Sequence, residues 1–274
     1  MLPNNRKQEK QHRKHKRELE ITIALESIRD IITKNPKLVD QTLNILEFGS
    51  GDGFQIFYLQ KLGNLIASDI YMSSDIKKMN GVNFTKCSIT DTPFWDQQFN
   101  LIFSSQVIEH IEKLNKAFRE LKRIGSDNCL YAFTVPTNIW LLLSLPAQYY
   151  NKLRVAFIKI GRIKNKSISK KSVHIKHLKS TEINITSKRK NLYQKIIFVL
   201  FSVGHGVKQN FYDCYRSFKM KNWKKLFSKN GFTILKIQPL LLSGASEWPL
   251  IPTTTLLNKI GICSSVLFLM KKTK

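Results

Sequence analysis

Three glycines at alternating positions follow a short apolar run that contains a carboxylate. The spacing, in NILEFGSGDG at residues 44–53, is Glu47-x-Gly49-x-Gly51-x-Gly53. Bare backbone lets a ligand approach closely, and a helix that follows such a turn offers free N–H groups. The pattern matches neither the dinucleotide-binding GxGxxG nor a P-loop, which needs GKS or GKT. Because Glu47 would repel a pyrophosphate, we expect a ligand that presents a cation. A packing turn that binds nothing is the alternative.

Asp69 is the second carboxylate whose position indicates a ligand. It lies about twenty residues beyond the first glycine, at the end of the next predicted strand, where such a residue can accept hydrogen bonds from both ribose hydroxyls. A loop residue or a helix cap is the alternative role. A ribose and a cationic amino-acid end occur together in S-adenosylmethionine, so the two carboxylates with the glycine turn predict this cofactor.

Strands and helices alternate along most of the chain and would position these residues. Apolar runs predict strands at 43–48, 65–70, 82–89, 99–106, 128–136, 232–240 and 264–272. Apolar residues at helical spacing predict helices at 21–34, 53–62, 112–125 and 217–232, the last two ending at Gly125 and Gly231. This order predicts an α/β fold, a Rossmann-like seven-stranded and mostly parallel sheet with helices on both faces.

These segments resemble class I S-adenosylmethionine-dependent methyltransferases, in the broad group with LPF…FD…EHI-type motifs. ILEFGSGDG looks like the first motif of the family and ASDI like the second. The segment CSITDTPFWDQQFNLIFSSQVIEHI, residues 87–111, is similar to the part that covers the third and fourth strands. The resemblance extends over about residues 40–136 and more loosely over 217–272, where the chain is loosely similar to methyltransferases of polysaccharide and lipid pathways.

The resemblance implies a role for individual residues. The turn would pack against the methionine part of the cofactor, Asp69 would hold the ribose, and the residues after the second, third and fourth strands would contact the adenine and the methionine. Ser88 and Asn100 depart from the family pattern, which often has aspartates at these positions. The implied cofactor-binding residues are Glu47, Gly49, Ser50, Gly51, Gly53, Asp69, Ile70, Ser88, Ile89, Ser105 and Gln106.

Two histidines are candidate general bases. His110 follows the fourth predicted strand in VIEHI, and His205 lies between two glycines in SVGHGVK. An imidazole with a pKa near neutrality suits proton removal from a hydroxyl acceptor, whereas a carboxylate acceptor needs no base. The alternatives are a structural role for His110 and an exposed loop position for His205. We expect no metal site, because the four cysteines are widely spaced and form no CxxC pair.

The charge is strongly positive and unevenly distributed. Forty-five Lys and Arg residues against 19 Asp and Glu give a net charge of +26, and residues 150–230 contain only Glu182 and Asp213 as acids. Such a field attracts anionic partners, although a Lys-rich composition typical of AT-rich coding is the alternative explanation. We therefore expect an anionic small-molecule, lipid or glycan acceptor. An RNA methyltransferase and a non-catalytic scaffold are the rival hypotheses; no RNA-binding module or NPPY tetrapeptide supports the first.

The predicted organisation has four parts. Residues 1–17 are a basic arm or helical start, 18–136 the cofactor-binding half, 137–216 a cationic insertion, and 217–274 the last helix and two strands of the same domain. The apolar stretches 139–147 and 196–204 are too short to span a bilayer; they would pack together or contact an anionic membrane surface. The absence of a secretory signal and of a disulfide pattern predicts a cytoplasmic protein, or one peripheral on the inner membrane face.

Overall fold

A single mixed sheet organises the molecule. The computed structural model describes residues 5–39, 41–145, 205–207, 210–242 and 262–273. The strand order is β3-β2-β1-β4-β5-β7-β6, and only β7 runs antiparallel to its neighbours. This confirms the predicted Rossmann-like α/β fold. The strands are β1 Leu43–Phe48, β2 Gly63–Asp69, β3 Asn83–Lys86, β4 Phe99–Ser105, β5 Gly125–Pro136, β6 Phe232–Pro239 and β7 Ser265–Lys272.

Helices cover both faces of this sheet. The first four are α1 Asn5–Thr33, α2 Pro36–Val39, α3 Ile56–Leu59 and α4 Leu114–Ile124. Residues 138–145 are helical, and further helices are Phe211–Ser217 and Met220–Lys229. Short 3₁₀ turns lie at Gln60–Leu62, Ile76–Lys78 and Ile108–His110.

The apolar core has two parts, one on each face. Alternate residues of β1 point to opposite faces, so Leu46 belongs to one cluster and Ile45 to the other. The Leu46 side packs against Phe118 of α4 and Trp223 of the C-terminal helix. The Ile45 side packs against α1, whose buried residues follow helical spacing: Ile21, Ala24, Leu25 and Ile28.

The strand order reverses direction between β1 and β4. The chain leaves β1 towards β2 on one side, whereas β4 pairs on the other side of β1. In open parallel sheets such a reversal leaves a crevice beyond the carboxyl ends of the strands, where ligands bind. The glycine turn follows β1 at this crevice.

Three local predictions differ from the structure. The helix predicted at 53–62 is only Ile56–Leu59 with a 3₁₀ turn to Leu62, because β2 already begins at Gly63. Gly125 does not end α4 in a left-handed conformation: it is extended and opens β5, and a Cβ there would clash with Tyr131. The third strand ends at Lys86, so the segment 87–89 lies beyond it.

Residues 5–17 are the first part of α1 and not a separate arm. The structure thus agrees with a basic helical start, since no glycine or proline interrupts the helix. The segments 146–204 and 243–261, with the apolar stretch 196–204 and most of the cationic insertion, lie outside the described residues. In the part of the chain that is described, no helix combines the length and apolar character needed to cross a bilayer.

Candidate functional site

The glycine turn is hydrogen-bonded to the neighbouring strand β2. The N–H groups of Gly49 and Ser50 both donate to the carbonyl oxygen of Ser68 in β2, at 2.8 and 3.1 Å. The N–H of Gly51 donates to Asp69 Oδ2 at 2.9 Å. The carboxylate predicted to grip a ribose therefore already holds the turn, and its remaining lone pairs can accept further bonds.

The three glycines have left-handed φ angles of 72°, 58° and 81° but serve different purposes. A Cβ on Gly49 would clash with Val107, and one on Gly53 would meet Ile76 at 2.8 Å. A Cβ on Gly51 would meet no atom within 4 Å. Gly51 thus leaves open space for a ligand, whereas Gly53 is a buried packing residue that lines neither of the cavities described below. The cofactor contact of Gly53 stays a prediction.

Two cavities meet at this turn. The first, of about 340 Å³, is called the turn cavity; it lies between the turn, the ends of β4 and β5, and the first part of α1. It is lined by Arg13, Lys16, Arg17, Glu20, Ile21, Ala24, Gly49, Ser50, Gly51, Gln55, Phe103, Ser105, Gln106 and Thr134.

The second cavity, also of about 340 Å³, is called the Asp69 cavity. It is lined by Phe48, Gly49, Ser68, Asp69, Ile70, Cys87, Ser88, Ile89, Thr90, Val107, His110, Ile111, Glu112 and Lys113. Gly49 borders both cavities. Two adjoining spaces, one beside a sugar-binding carboxylate and apolar side chains and one beside bare backbone, fit a nucleoside joined to an amino acid.

Glu47 lies below the turn as a buried carboxylate. Its residue is 1% exposed, and Oε2 accepts no hydrogen bond within the described ranges. Burial raises the pKa of Glu47 to about 8, partly offset by the positive charge of Arg17. An orphaned buried carboxyl group is costly unless a cation or donor reaches it. This observation fits a ligand with an ammonium group, the feature inferred from the sequence.

Helix α1 covers the turn cavity, which sequence reasoning did not foresee. Arg17 donates to both carboxylate oxygens of Asp52, at 2.6 and 2.7 Å, and its guanidinium lies 4.3 Å from the ring centre of Phe54. The spacing Arg13, Arg17, Ile21 continues the buried face of the helix and was the available signal. It was missed because the helix predicted from apolar spacing begins only at Ile21.

The end of β4 forms the floor predicted beneath the methionine. Ser105 and Gln106 line the turn cavity, and Thr134 Oγ1 of β5 is 2.9 Å from Ser105 Oγ. Gln106 has a φ of 57°, and its N–H donates to the Thr134 carbonyl at 3.0 Å. A non-glycine residue held in this conformation stores backbone strain, a frequent property of residues at ligand sites.

The two positions that depart from the family pattern have different surroundings. Ser88 lines the Asp69 cavity, where its hydroxyl is 2.9 Å from Thr90 Oγ1. Asn100 lies away from both cavities: its Oδ1 accepts from the N–H of Asn44, at 3.0 Å, and ties β4 to β1. Only the Ser88 departure therefore bears on ligand contacts.

The fold brings the two predicted histidines together. The rings of His110 and His205 lie 4.9 Å apart, although 94 residues separate them in the chain. Each Nε2 is 3.9 Å from Oε1 of Glu109, whose side chain is fully buried. His110 also borders the Asp69 cavity, so this cluster adjoins the predicted cofactor site.

Comparison with known proteins agrees with this geometry. A family model described as a methyltransferase domain matches residues 46–133, from β1 to β5. The plantazolicin methyltransferase BpumL, solved in complex with SAH, is similar in structure with a TM-score of 0.55 and 13% identity, over 99% of this chain and 91% of that chain. A SAM-dependent methyltransferase from Thermotoga maritima, described as a possible histamine N-methyltransferase, gives a TM-score of 0.52 and 16% identity, over 96% and 91%.

The family match falls on the strands and turns that build both cavities, and the solved structures share the fold. The turn and Asp69 border these cavities, and the buried Glu47 lies directly before the turn, as the sequence-based prediction of a ribose and an ammonium group requires. Residues 46–133 match a methyltransferase domain, and the chain has the fold of S-adenosylmethionine-dependent methyltransferases.

Proposed function

We propose that the enzyme methylates an anionic acceptor of small-molecule, lipid or glycan type. The observation that carries this proposal is the charge around the turn cavity. Arg13, Lys16 and Arg17 line it, whereas Glu20 is the acid among its lining residues. Arg17 pairs with Asp52 and Lys16 lies 4.0 Å from Glu20, so the lining keeps a small positive excess. This excess adds to the net charge of +26 and favours an acceptor that is itself negative.

The first contribution of the chain to catalysis is the alignment of the methyl donor with the acceptor. When bound, S-adenosylmethionine supplies a methyl group on a sulfonium sulfur that departs as a neutral thioether. The glycine turn and the floor formed by Ser105 and Gln106 would hold the donor, while α1 forms one wall of the turn cavity. Alignment of acceptor, methyl and sulfur contributes at best about 7–11 kcal/mol to catalysis. The S–CH₃ bond breaks as the bond to the acceptor forms.

The histidine cluster handles the acceptor proton in this proposal. A hydroxyl acceptor must lose its proton as the methyl group arrives, and a positioned imidazole contributes about 10²–10⁴-fold to such a step. His110 borders the Asp69 cavity, and the ring of His205 packs against the ring of His110 from the side of the insertion. Both are half-buried to exposed, so the proton can pass to solvent.

The experiment that tests the acceptor class uses a labelled methyl donor. The purified protein is incubated with S-adenosyl-[methyl-³H]methionine and with lipid, glycan, small-molecule and RNA fractions, each divided by anion exchange. We expect label in an anionic fraction that resists ribonuclease. Ribonuclease-sensitive label would establish the RNA hypothesis instead. Calorimetric binding of S-adenosylmethionine without transfer to any fraction would favour the non-catalytic scaffold.

Once an acceptor is identified, reversing one charge tests whether the positive charge around the turn cavity attracts it. Lys16→Glu should raise the acceptor KM by roughly tenfold through lost electrostatic attraction. Lys14→Glu changes the net charge equally on the same helix, but Lys14 is exposed and does not line the turn cavity. Equal effects of both variants would show that the general field of the protein, and not this cavity, attracts the acceptor.

A further inference from the structure

Glu109 has a buried carboxylate to which no group of the described residues donates a hydrogen bond. It lies in the 3₁₀ turn Ile108–His110 directly after β4. Its side chain is fully buried, and neither Oε1 nor Oε2 accepts a hydrogen bond within the described ranges. Buried carboxylates are normally paired, hydrogen-bonded or bound to a metal. The groups facing Glu109 are two imidazoles, one from the same turn and one from His205.

The backbone fixes His205 at this place. The N–H of Val207 donates to the carbonyl oxygen of Glu109 at 3.0 Å. Gly206, with a φ of 66°, lets the chains approach, because a Cβ there would clash with that same carbonyl. On the other side, the His205 N–H lies 3.2 Å from the sulfur of Cys214, and its ring lies 4.6 Å from Trp140. His205 is therefore held against the buried carboxylate by contacts on both sides.

The donor atoms match those of a transition-metal site. One carboxylate and two imidazoles form a donor set that zinc enzymes use, with a further position left for water or substrate. The ligand atoms of Glu109, His110 and His205 all lie within 4.8 Å of one another. Two metal–ligand bonds of about 2.1 Å can join atoms up to roughly 4.2 Å apart. Both carboxylate–imidazole distances, at 3.9 Å, fall within this reach.

We propose that Glu109, His110 and His205 bind one divalent transition-metal ion, for which Zn²⁺ is the best fit. The ion would compensate the buried carboxylate. Sequence reasoning expected no metal because it considered cysteine spacing, whereas this set forms only when residues 205–207 meet the 3₁₀ turn.

The position of the site gives the ion a catalytic use, and this step rests on the proposed function. His110 borders the Asp69 cavity together with Gly49, which also borders the turn cavity. An acceptor hydroxyl that bound to the ion at its open position would have a lowered pKa and would lose its proton to solvent. The two imidazoles would then act as ligands of the ion, in place of the general-base role proposed above. The resulting alkoxide or phenolate takes the methyl group, forming an O–CH₃ bond as the S–CH₃ bond breaks. The acceptor class is then an oxygen nucleophile.

Metal binding is tested without reference to activity. Metal-free full-length protein is titrated with Co²⁺, whose visible absorption reports tetrahedral nitrogen and oxygen ligands, and then with Zn²⁺ by calorimetry. We expect one ion per chain. Glu109→Gln and His205→Ala should each weaken binding by at least about 100-fold, since each removes a direct ligand. His15→Ala removes an exposed histidine of α1 and should leave the affinity unchanged.

Thermal unfolding with and without Zn²⁺ provides a second measurement of metal binding in case a variant folds poorly. A ligand that binds only the folded state raises the unfolding midpoint, so Zn²⁺ should stabilise the wild type and not the isosteric Glu109→Gln variant. Absence of stoichiometric binding in the wild type, or equal binding by Glu109→Gln, would overturn the site. Methyl transfer that is equally fast after chelation would remove its catalytic use. Failure to methylate any anionic acceptor would contradict the proposed function and leave the metal result intact.

Discussion

The glycine turn and the histidine cluster adjoin the same crevice, but the chain builds them in different ways. The turn, with Glu47 below it and Asp69 beside it, comes from consecutive strands within residues 44–69. The cluster joins the 3₁₀ turn after β4 to residues 205–207, across most of the cationic insertion. Both contain a buried carboxylate, and among the described residues neither Oε2 of Glu47 nor either oxygen of Glu109 accepts a hydrogen bond. The turn is thus built mainly from consecutive strands, whereas the cluster depends on residues that lie far apart in the sequence.

The largest expected effect tests the turn as a binding surface. Gly51→Val should abolish detectable binding of S-adenosylmethionine, because its side chain would fill the open space beside the turn. Gly81→Val is the matched control. Gly81 has a similar φ of 75° and equally open surroundings, but it borders neither cavity. Calorimetry and thermal unfolding of both variants separate ligand exclusion from backbone strain. Equal loss of binding in both would show that strain alone is responsible.

The glycine turn could be predicted from the sequence, whereas the histidine cluster could not. β1 was predicted residue for residue, and the turn with Asp69 was placed correctly, because a buried apolar run and adjacent glycines are local signals. The meeting of His110 and His205 could not be predicted, since it depends on a contact between Val207 and Glu109 across the insertion. Helix α1 over the turn cavity was missed for a different reason. The apolar residues that predict this helix begin at Ile21, whereas the cavity is also lined by Arg13, Lys16 and Arg17, which precede it.

A second prediction concerns what Asp69 recognises. Asp69→Ala should weaken S-adenosylmethionine binding by roughly 10–100-fold, because hydrogen bonds to a charged group contribute about 1.5–3 kcal/mol. Asp69 also accepts from Gly51, so the loss alone does not identify the ribose as its ligand. A 2′,3′-dideoxy analogue of the ligand resolves this: it should bind the wild type weakly and lose little further affinity in the variant. Fully additive losses would mean that Asp69 only holds the turn. Asp75→Ala, an exposed position, is the control.

A third prediction uses the raised pKa of Glu47, about 8 against an ordinary value of 4.5. Between these values the folded protein keeps a proton that the unfolded chain has lost, so the contribution of Glu47 to stability falls as the pH rises through this window. An ammonium group beside Glu47 favours the ionised form. Binding of S-adenosylmethionine should therefore release a proton, and affinity should rise between pH 5.5 and about 7 by at most about tenfold per unit.

Two measurements test whether Glu47 causes this pH dependence of binding affinity. Glu47→Gln should remove most of the pH dependence of binding, since no proton is then released. 5′-Methylthioadenosine, which lacks the amino-acid end, should bind the wild type with little dependence on pH. Calorimetry in buffers of different ionisation enthalpy counts the protons directly. An unchanged slope in the Gln variant would place the ammonium group elsewhere.

The smallest expected effect concerns the contact between α1 and the glycine turn. Arg17 of α1 pairs with Asp52 in two hydrogen bonds and lowers the pKa of that carboxyl below its ordinary value. Since both side chains are partly exposed, the pair should contribute only about 0.2–1 kcal/mol, and Arg17→Ala should weaken donor binding by a factor of about five or less. A double-mutant cycle with Asp52→Ala isolates the pair, and Lys14→Ala, whose partner is Glu18 on the same helix, provides the control. A coupling energy near zero would show that the glycine turn does not depend on its contact with α1. A coupling of a few tenths of a kcal/mol or more would show that α1 stabilises the turn, although the turn itself comes from consecutive strands.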